Sequence, residues 1–203
     1  MKNSFSHVLA TFVLGVFVLG VSALLGGCET VPPGKANAEI SFAHLPPIVI
    51  NVATVEIVHE YRPSYAKPNV EHLFPVTPAA AMERWAKERL RPMGASGVAR
   101  FVIMDASVKE TKLEKKKGLV GLVTKNPSER YDAIVRARID VVDASGRAAG
   151  MVSGHATRYQ TVIEGISPND RAQAWFDMTS ALLADFDREM ERNTRELLGN
   201  WVR

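Results

Sequence analysis

Between Tyr131 and Val141 the chain alternates. Tyr131, Ala133, Val135, Ala137, Ile139 and Val141 fall on one side of an extended strand, while Asp132, Arg136, Arg138 and Asp140, with Ile134 among them, fall on the other. Apolar positions on a helix recur every three or four residues, so a period of two over this length excludes one. It requires a sheet with one face packed and one face partly wet. The rest of the chain must then supply partner strands and a layer to cover the apolar face.

The flanking segments fit that demand. Asp143-Ala144-Ser145-Gly146 predicts a hairpin turn, with 148–162 as the return strand. Upstream, ARFVIMDASVKETKLE (99–114) predicts a long strand whose polar second half is expected to leave the sheet and extend outward. IVINVATVEIV (48–58) is β-branched throughout and reads as one strand, either buried on both faces or bulged. Residues 59–76, with Pro63, Pro68 and Pro75, read as a long loop. Thr77 and Pro78 have the chemistry of a helix start, and Met82, Trp85, Ala86 and Leu90 then share one face until Pro92 and Gly94. Ser167-Pro168-Asn169-Asp170 opens a second helix, and apolar residues from Trp175 to Trp201 keep helical spacing. About 32 residues at 1.5 Å each give roughly 48 Å. That is longer than a small sheet needs, so the far end is expected to break or project. The order β-α-β-β-β-α predicts an α+β fold: a two-layer sandwich with a small, mostly antiparallel sheet and two helices on one face.

The chain has 203 residues, 46% hydrophobic and 23% charged, enough for one domain with a real core. Apart from Lys2 the balance is 24 cations against 22 acids, and no long basic face appears, which argues against a nucleic-acid partner. The start has its own pattern. MKNSFSH carries one lysine, Val8–Leu25 carries no charge, and LLGGC follows. Positive charge, an apolar run and small residues predict a secretory signal, and the run is also of marginal length for an uncleaved membrane anchor. Cys28 is the only cysteine, so no intrachain disulfide can form.

Leu25-Gly26-Gly27-Cys28 resembles the signal box of bacterial lipoproteins. The resemblance implies that Cys28 is the lipid-attachment residue, taking a diacylglyceryl group and, as a lipoprotein does, fatty acyl chains such as palmitate. It also implies that cleavage makes Cys28 the first residue. Residues 1–27 would then be the signal peptide, 28–47 (rich in Pro, Gly and Ala) the acylated cysteine and a flexible tether, and 48–203 one globular domain with a projecting hairpin at about 110–130. Glu29 after the cysteine, in the sorting pattern of that class, points to the outer membrane. The element order of 48–202 is also similar to small periplasmic lipoproteins that assist envelope machines, such as the lipopolysaccharide-assembly lipoprotein and the auxiliary lipoproteins of lipid-transporting ABC systems. That similarity implies a non-catalytic accessory role in envelope assembly or transport. The partners would be the bilayer, reached through Cys28, and an envelope protein complex.

No stretch of sequence reads as a catalytic or cofactor centre, and the expectation is no enzyme, no cofactor and no metal. His59-Glu60 begins like a zinc-protease helix, but Arg62-Pro63 follow where the motif continues. A metal set of His59, His72 and Glu71 is conceivable within the long loop, whereas His155 reads as a plain sheet residue. Gly94-Ala95-Ser96-Gly97 lacks the spacing of a nucleophile elbow, and Gly118 with Gly121 lacks a phosphate loop's Lys-Ser/Thr. The alternating acids and arginines of the last helix read as a solvated face. An alternative function is carriage of a lipid or other apolar ligand in a groove lined by Trp85, Trp175 and Phe186.

LEKKKGLVGLVTKNPSERYD (113–132) is left unexplained by packing. Lys115, Lys116 and Lys117 precede Leu119, Val120, Leu122 and Val123, an arrangement suited to contact with an anionic surface or an acidic partner. These seven residues are the expected partner- or membrane-binding set, with folding back onto the core as the alternative.

Overall fold

The computed structural model describes residues 39–114 and 126–202. In chain order the elements are β1 (Ile48–Ile50), β2 (Thr54–His59), α1 (Pro78–Arg89), β3 (Leu90–Pro92), β4 (Val98–Lys112), β5 (Pro127–Val142), β6 (Ala148–Ile163) and α2 (Pro168–Leu197). The main sheet has the order β2-β4-β5-β6; β2 and β4 are parallel, and the other two pairs are antiparallel. β1 and β3 form a separate parallel pair. The fold is α+β, as the alternation demands, with a largely antiparallel sheet and both helices on one face.

The whole alternating set of β5 is buried, from Tyr131 to Val141. Ala99, Phe101, Ile103, Ala106 and Val108 of β4 join it on the inner face. Above them Trp85 of α1, Phe101 and Phe186 of α2 form a triangle of rings, with centroids 5.3 Å apart for the two Trp85 contacts and 6.3 Å for the third. All three are fully buried, each contributing about 1.5–3 kcal/mol of apolar burial. The groove expected from Trp85, Trp175 and Phe186 is not what these residues make: Trp85 and Phe186 fill the layer between helices and sheet.

Both helices start where capping chemistry places them. Thr77 Oγ1 accepts the Ala80 N–H at 3.2 Å, and Ser167 Oγ accepts the Asp170 N–H at 3.1 Å while donating to the Asp170 carboxylate. α2 runs for 30 residues and does not project. It lies along β6, and the chain then folds back: Asn51 N–H donates to Trp201 O at 2.7 Å, and Val202 bridges Ile50.

Three further expectations change. The stretch 48–58 is two strands in two sheets, broken at Asn51–Ala53. The polar half of β4 stays in the sheet, paired with β5 as far as Lys112 opposite Glu129. Its other edge is covered by the long loop, where Asn69 bridges Lys109, Val70 N–H donates to Val108 O and Glu110 N–H donates to Pro68 O. The loop therefore takes the place that β2 vacates after His59, and this satisfies a strand edge that would otherwise be bare. Finally, the folded body begins before Ile48. Ile40 and Phe42 are buried in the core, Phe42 N–H donates to Glu88 and Arg84 pairs with Glu39, so residues 39–47 belong to the folded body and not to a linker.

Candidate functional site at the root of the long hairpin

Cys28 and the set Lys115, Lys116, Lys117, Leu119, Val120, Leu122 and Val123 lie outside the described residues. What is described is the platform from which 115–125 departs. Lys112 faces Glu129, Leu113 N–H donates to Ser128 O at 2.9 Å, and Glu164 N–H donates to Asn126 O at 3.1 Å. The two ends of the segment therefore leave from adjacent strands, beside the end of β6.

The inner side of this root is aromatic and polar together. Phe74 of the long loop stacks on Trp175 of α2 (4.8 Å, 9°), and Tyr131 meets both rings edge-on. The Tyr131 hydroxyl donates to Glu129 Oε2 at 2.6 Å, and Arg171 Nη1 reaches the same oxygen at 2.5 Å. Burial, then the hydrogen bond to Glu129, pushes the Tyr131 phenol well above its ordinary range, so it stays protonated and acts as a donor. On the outer side Arg130 pairs with Asp132 at 2.7 Å and lies 4.2 Å over the Tyr159 ring. These arginines are already engaged, so the root holds the hairpin's base in place.

The loop beneath is fixed by Glu71, which is 2% exposed. Its carboxylate accepts the Tyr61 hydroxyl at 2.7 Å and the Val108 N–H at 3.3 Å, so a side chain completes the β4 edge where the loop backbone cannot. Burial and then Glu71 raise the Tyr61 phenol. The conceived metal set is not brought together: His59 lies 3.6 Å from Glu83, His72 packs against Tyr65, and Glu71 serves the strand edge. Among the described residues no three His, Cys, Asp or Glu side chains are grouped to hold a metal ion, and no helix is long and apolar enough to cross a membrane. His155 is more than a plain sheet residue, because its Nδ1 lies 3.0 Å from Glu189 of α2.

The acids of α2 are not all on a solvated face. Arg89 at the end of α1 is fully buried, with Nε 2.7 Å from Asp187 Oδ1 and Nη2 2.5 Å from Glu191 Oε2. The Trp85 indole N–H donates to the same Asp187 oxygen at 2.7 Å. This cluster was readable in part, since Arg89 continues the Met82–Trp85–Ala86 stripe by one turn and Asp187 follows Phe186. Its geometry locks the two helices together, with Glu191 further held by Arg195.

The elements define a two-layer α+β domain with one packed sheet face. No known family matches the sequence, and no curated protein does. Among solved structures, the chain is similar to rare lipoprotein B from Shewanella oneidensis, with 13% identity and a TM-score of 0.35, over 68% of this chain and 92% of that one. It is also similar to a PelC dodecamer from Paraburkholderia phytofirmans, with 14% identity and a TM-score of 0.19, over 67% and 86% of the two chains.

Proposed function

We propose that this chain is a lipid-anchored lipoprotein of the bacterial envelope, facing the periplasm. On this reading it is a non-catalytic binding or scaffolding module in envelope assembly or transport, at the outer membrane. The observation that carries the reading is Leu25-Gly26-Gly27-Cys28, behind an uncharged apolar run and shortly before a folded body that has begun by Ile40. From Cys28 to Glu39 the chain spans at most about 36–40 Å when fully extended, so an acylated Cys28 would hold the body close to its membrane. A single acyl chain gives marginal anchoring and several give a stable one.

The partner-facing element in this proposal is the segment carried by the β4–β5 hairpin. Lys115, Lys116 and Lys117 would meet anionic or acidic groups, and Leu119, Val120, Leu122 and Val123 would meet an apolar surface of an envelope complex. Cys28→Ala tests the anchor: mass spectrometry of the wild type should show an acylated amino-terminal cysteine, and the variant should move to the soluble fraction. An unmodified Cys28 in the wild type would remove the basis of the proposal. Leu122→Asp tests the contact. Thermal stability should be retained while copurification of envelope proteins from detergent is lost, whereas a large fall in stability would place Leu122 in the core.

A further inference from the structure

Among the described residues β6 is an edge strand, and only part of its edge is guarded. Asn193 Nδ2 donates to Ser153 O at 2.9 Å, and His155 N–H donates to Glu189 Oε1 at 3.1 Å, while Arg158 pairs with Asp185. A stripe of α2 side chains one turn apart thus occupies the edge as far as Arg158. Because Ser153 O and His155 N–H point away from β5, the backbone groups of Thr157, Tyr159, Thr161 and Ile163 also point away from it. Beyond Arg158 no strand among the described residues pairs with that edge. Among the described residues the Gln160 side-chain amide reaches it there, donating to Thr161 O at 3.3 Å. The segment Thr157-Arg158-Tyr159-Gln160-Thr161-Val162-Ile163 has neither proline nor lysine, and Tyr159 is 61% exposed. Natural edges are normally blunted by such residues or by a covering element.

We propose that residues 157–163 of β6 pair antiparallel with the same residues of a second copy of this chain, about a two-fold axis through Gln160. The alternation admits only registers that set outward-pointing residues against one another, and Gln160 opposite Gln160 is the one that pairs the whole bare segment, 157–163, with itself. With Gln160 opposite Gln160, the outward-pointing residues face one another. Tyr159 exchanges backbone hydrogen bonds with Thr161 of the second copy, and Thr157 does so with Ile163. Shifting by one residue would set outward groups against inward ones. The side chains agree with this register: an aromatic faces a β-branched residue, and Arg158 faces Val162 of the second copy, so no like charges meet. A contact of seven residues per copy covers far less than the roughly 1,200–2,000 Å² of a stable interface. The pairing is therefore weak in dilute solution and favoured where copies are concentrated, as on a membrane surface.

The test is register-specific disulfide trapping in the full chain. Gln160 is the central non-hydrogen-bonded pair, with Cα atoms about 4.5 Å apart, within disulfide reach. Gln160→Cys should give a dimer under mild oxidation, and peptide mass spectrometry should assign a 160–160 linkage distinct from any through Cys28. Thr157→Cys should not link, because six residues of offset separate the two copies by about 20 Å. In the Gln160→Cys background, Thr161→Pro removes an outward N–H and should cut the dimer yield at least tenfold, with the melting temperature unchanged. A Gln160→Cys chain that stays monomeric, links only to other proteins, or links no better than Thr157→Cys would overturn the proposal.

Discussion

Asp187 Oδ1 accepts two hydrogen bonds at once, from Arg89 Nε and from the Trp85 indole, each at 2.7 Å. Through this one oxygen the last turn of α1 is fastened to the middle of α2. Asp187→Ala would leave the fully buried Arg89 with Glu191 as its remaining carboxylate and strip the indole of its acceptor. The expected cost is about 3–5 kcal/mol in urea unfolding, the range for breaking one member of a buried ion pair. Arg89→Met with Asp187→Leu should recover most of that loss, because removing both charges also removes their desolvation. A single variant that unfolds within about 1 kcal/mol of the wild type would show that water reaches the cluster.

The same cluster sets an acid limb. The Arg195 guanidinium, hydrogen-bonded at 2.8 Å, holds the Glu191 carboxyl below its usual range; burial opposes this, and the nearby Arg89 charge adds to the lowering. An unfolded glutamate titrates at about 4.3. Between that value and the lower folded one, the unfolded chain binds more protons, so stability rises with pH across the window. The contribution of Glu191 is therefore complete above the ordinary glutamate range and is lost as pH falls through its folded value. Glu191→Gln should lower the melting temperature at neutral pH and flatten its fall below about pH 4.5. Glu39 is also held low by Arg84, but it is fully exposed. Glu39→Gln should shift the melting temperature little, and less still at high salt.

The sheet and its caps were legible because their signals are local. A period of two fixed β5 and its buried face, and Thr77 and Ser167 carry the capping chemistry that starts both helices. What the sequence hid depends on partners far along the chain. β1 is three residues long and pairs with Leu90–Pro92, so nothing near Asn51 marks the break from β2. Ile40 and Phe42 sit in a Pro- and Ala-rich context that reads as linker, yet both are buried, and Glu88 and Arg84 of α1, more than forty positions on, hold this segment in place. The polar half of β4 looked unfit for a sheet because its second partner is an irregular loop that contributes a glutamate side chain. The charges of α2 looked uniformly solvated because Arg89 lies about a hundred positions away. At the candidate site the sequence marks 115–123 by composition, and the structure adds the base from which that segment departs.

α2 passes close over Gly154, where Met190 of the helix meets the glycine. A Cβ there would lie 2.4 Å from Met190 Sδ and 2.8 Å from its Cγ, and Met190 is fully buried. Gly154→Ala gains a little backbone entropy, about 0.5–1 kcal/mol for a strand glycine. Overpacking costs more, about 1–3 kcal/mol, because the buried Met190 side chain must shift to make room. The net expectation is destabilisation, read as a lower urea midpoint with unchanged slope. Met190→Ala alone should cost about 2–5 kcal/mol through the cavity it leaves. Combined with Gly154→Ala it should cost clearly less than the two separate losses together, with a coupling of at least about 0.5 kcal/mol. Strict additivity would mean that helix and sheet do not meet at this pair, and that the glycine is tolerated for its backbone alone.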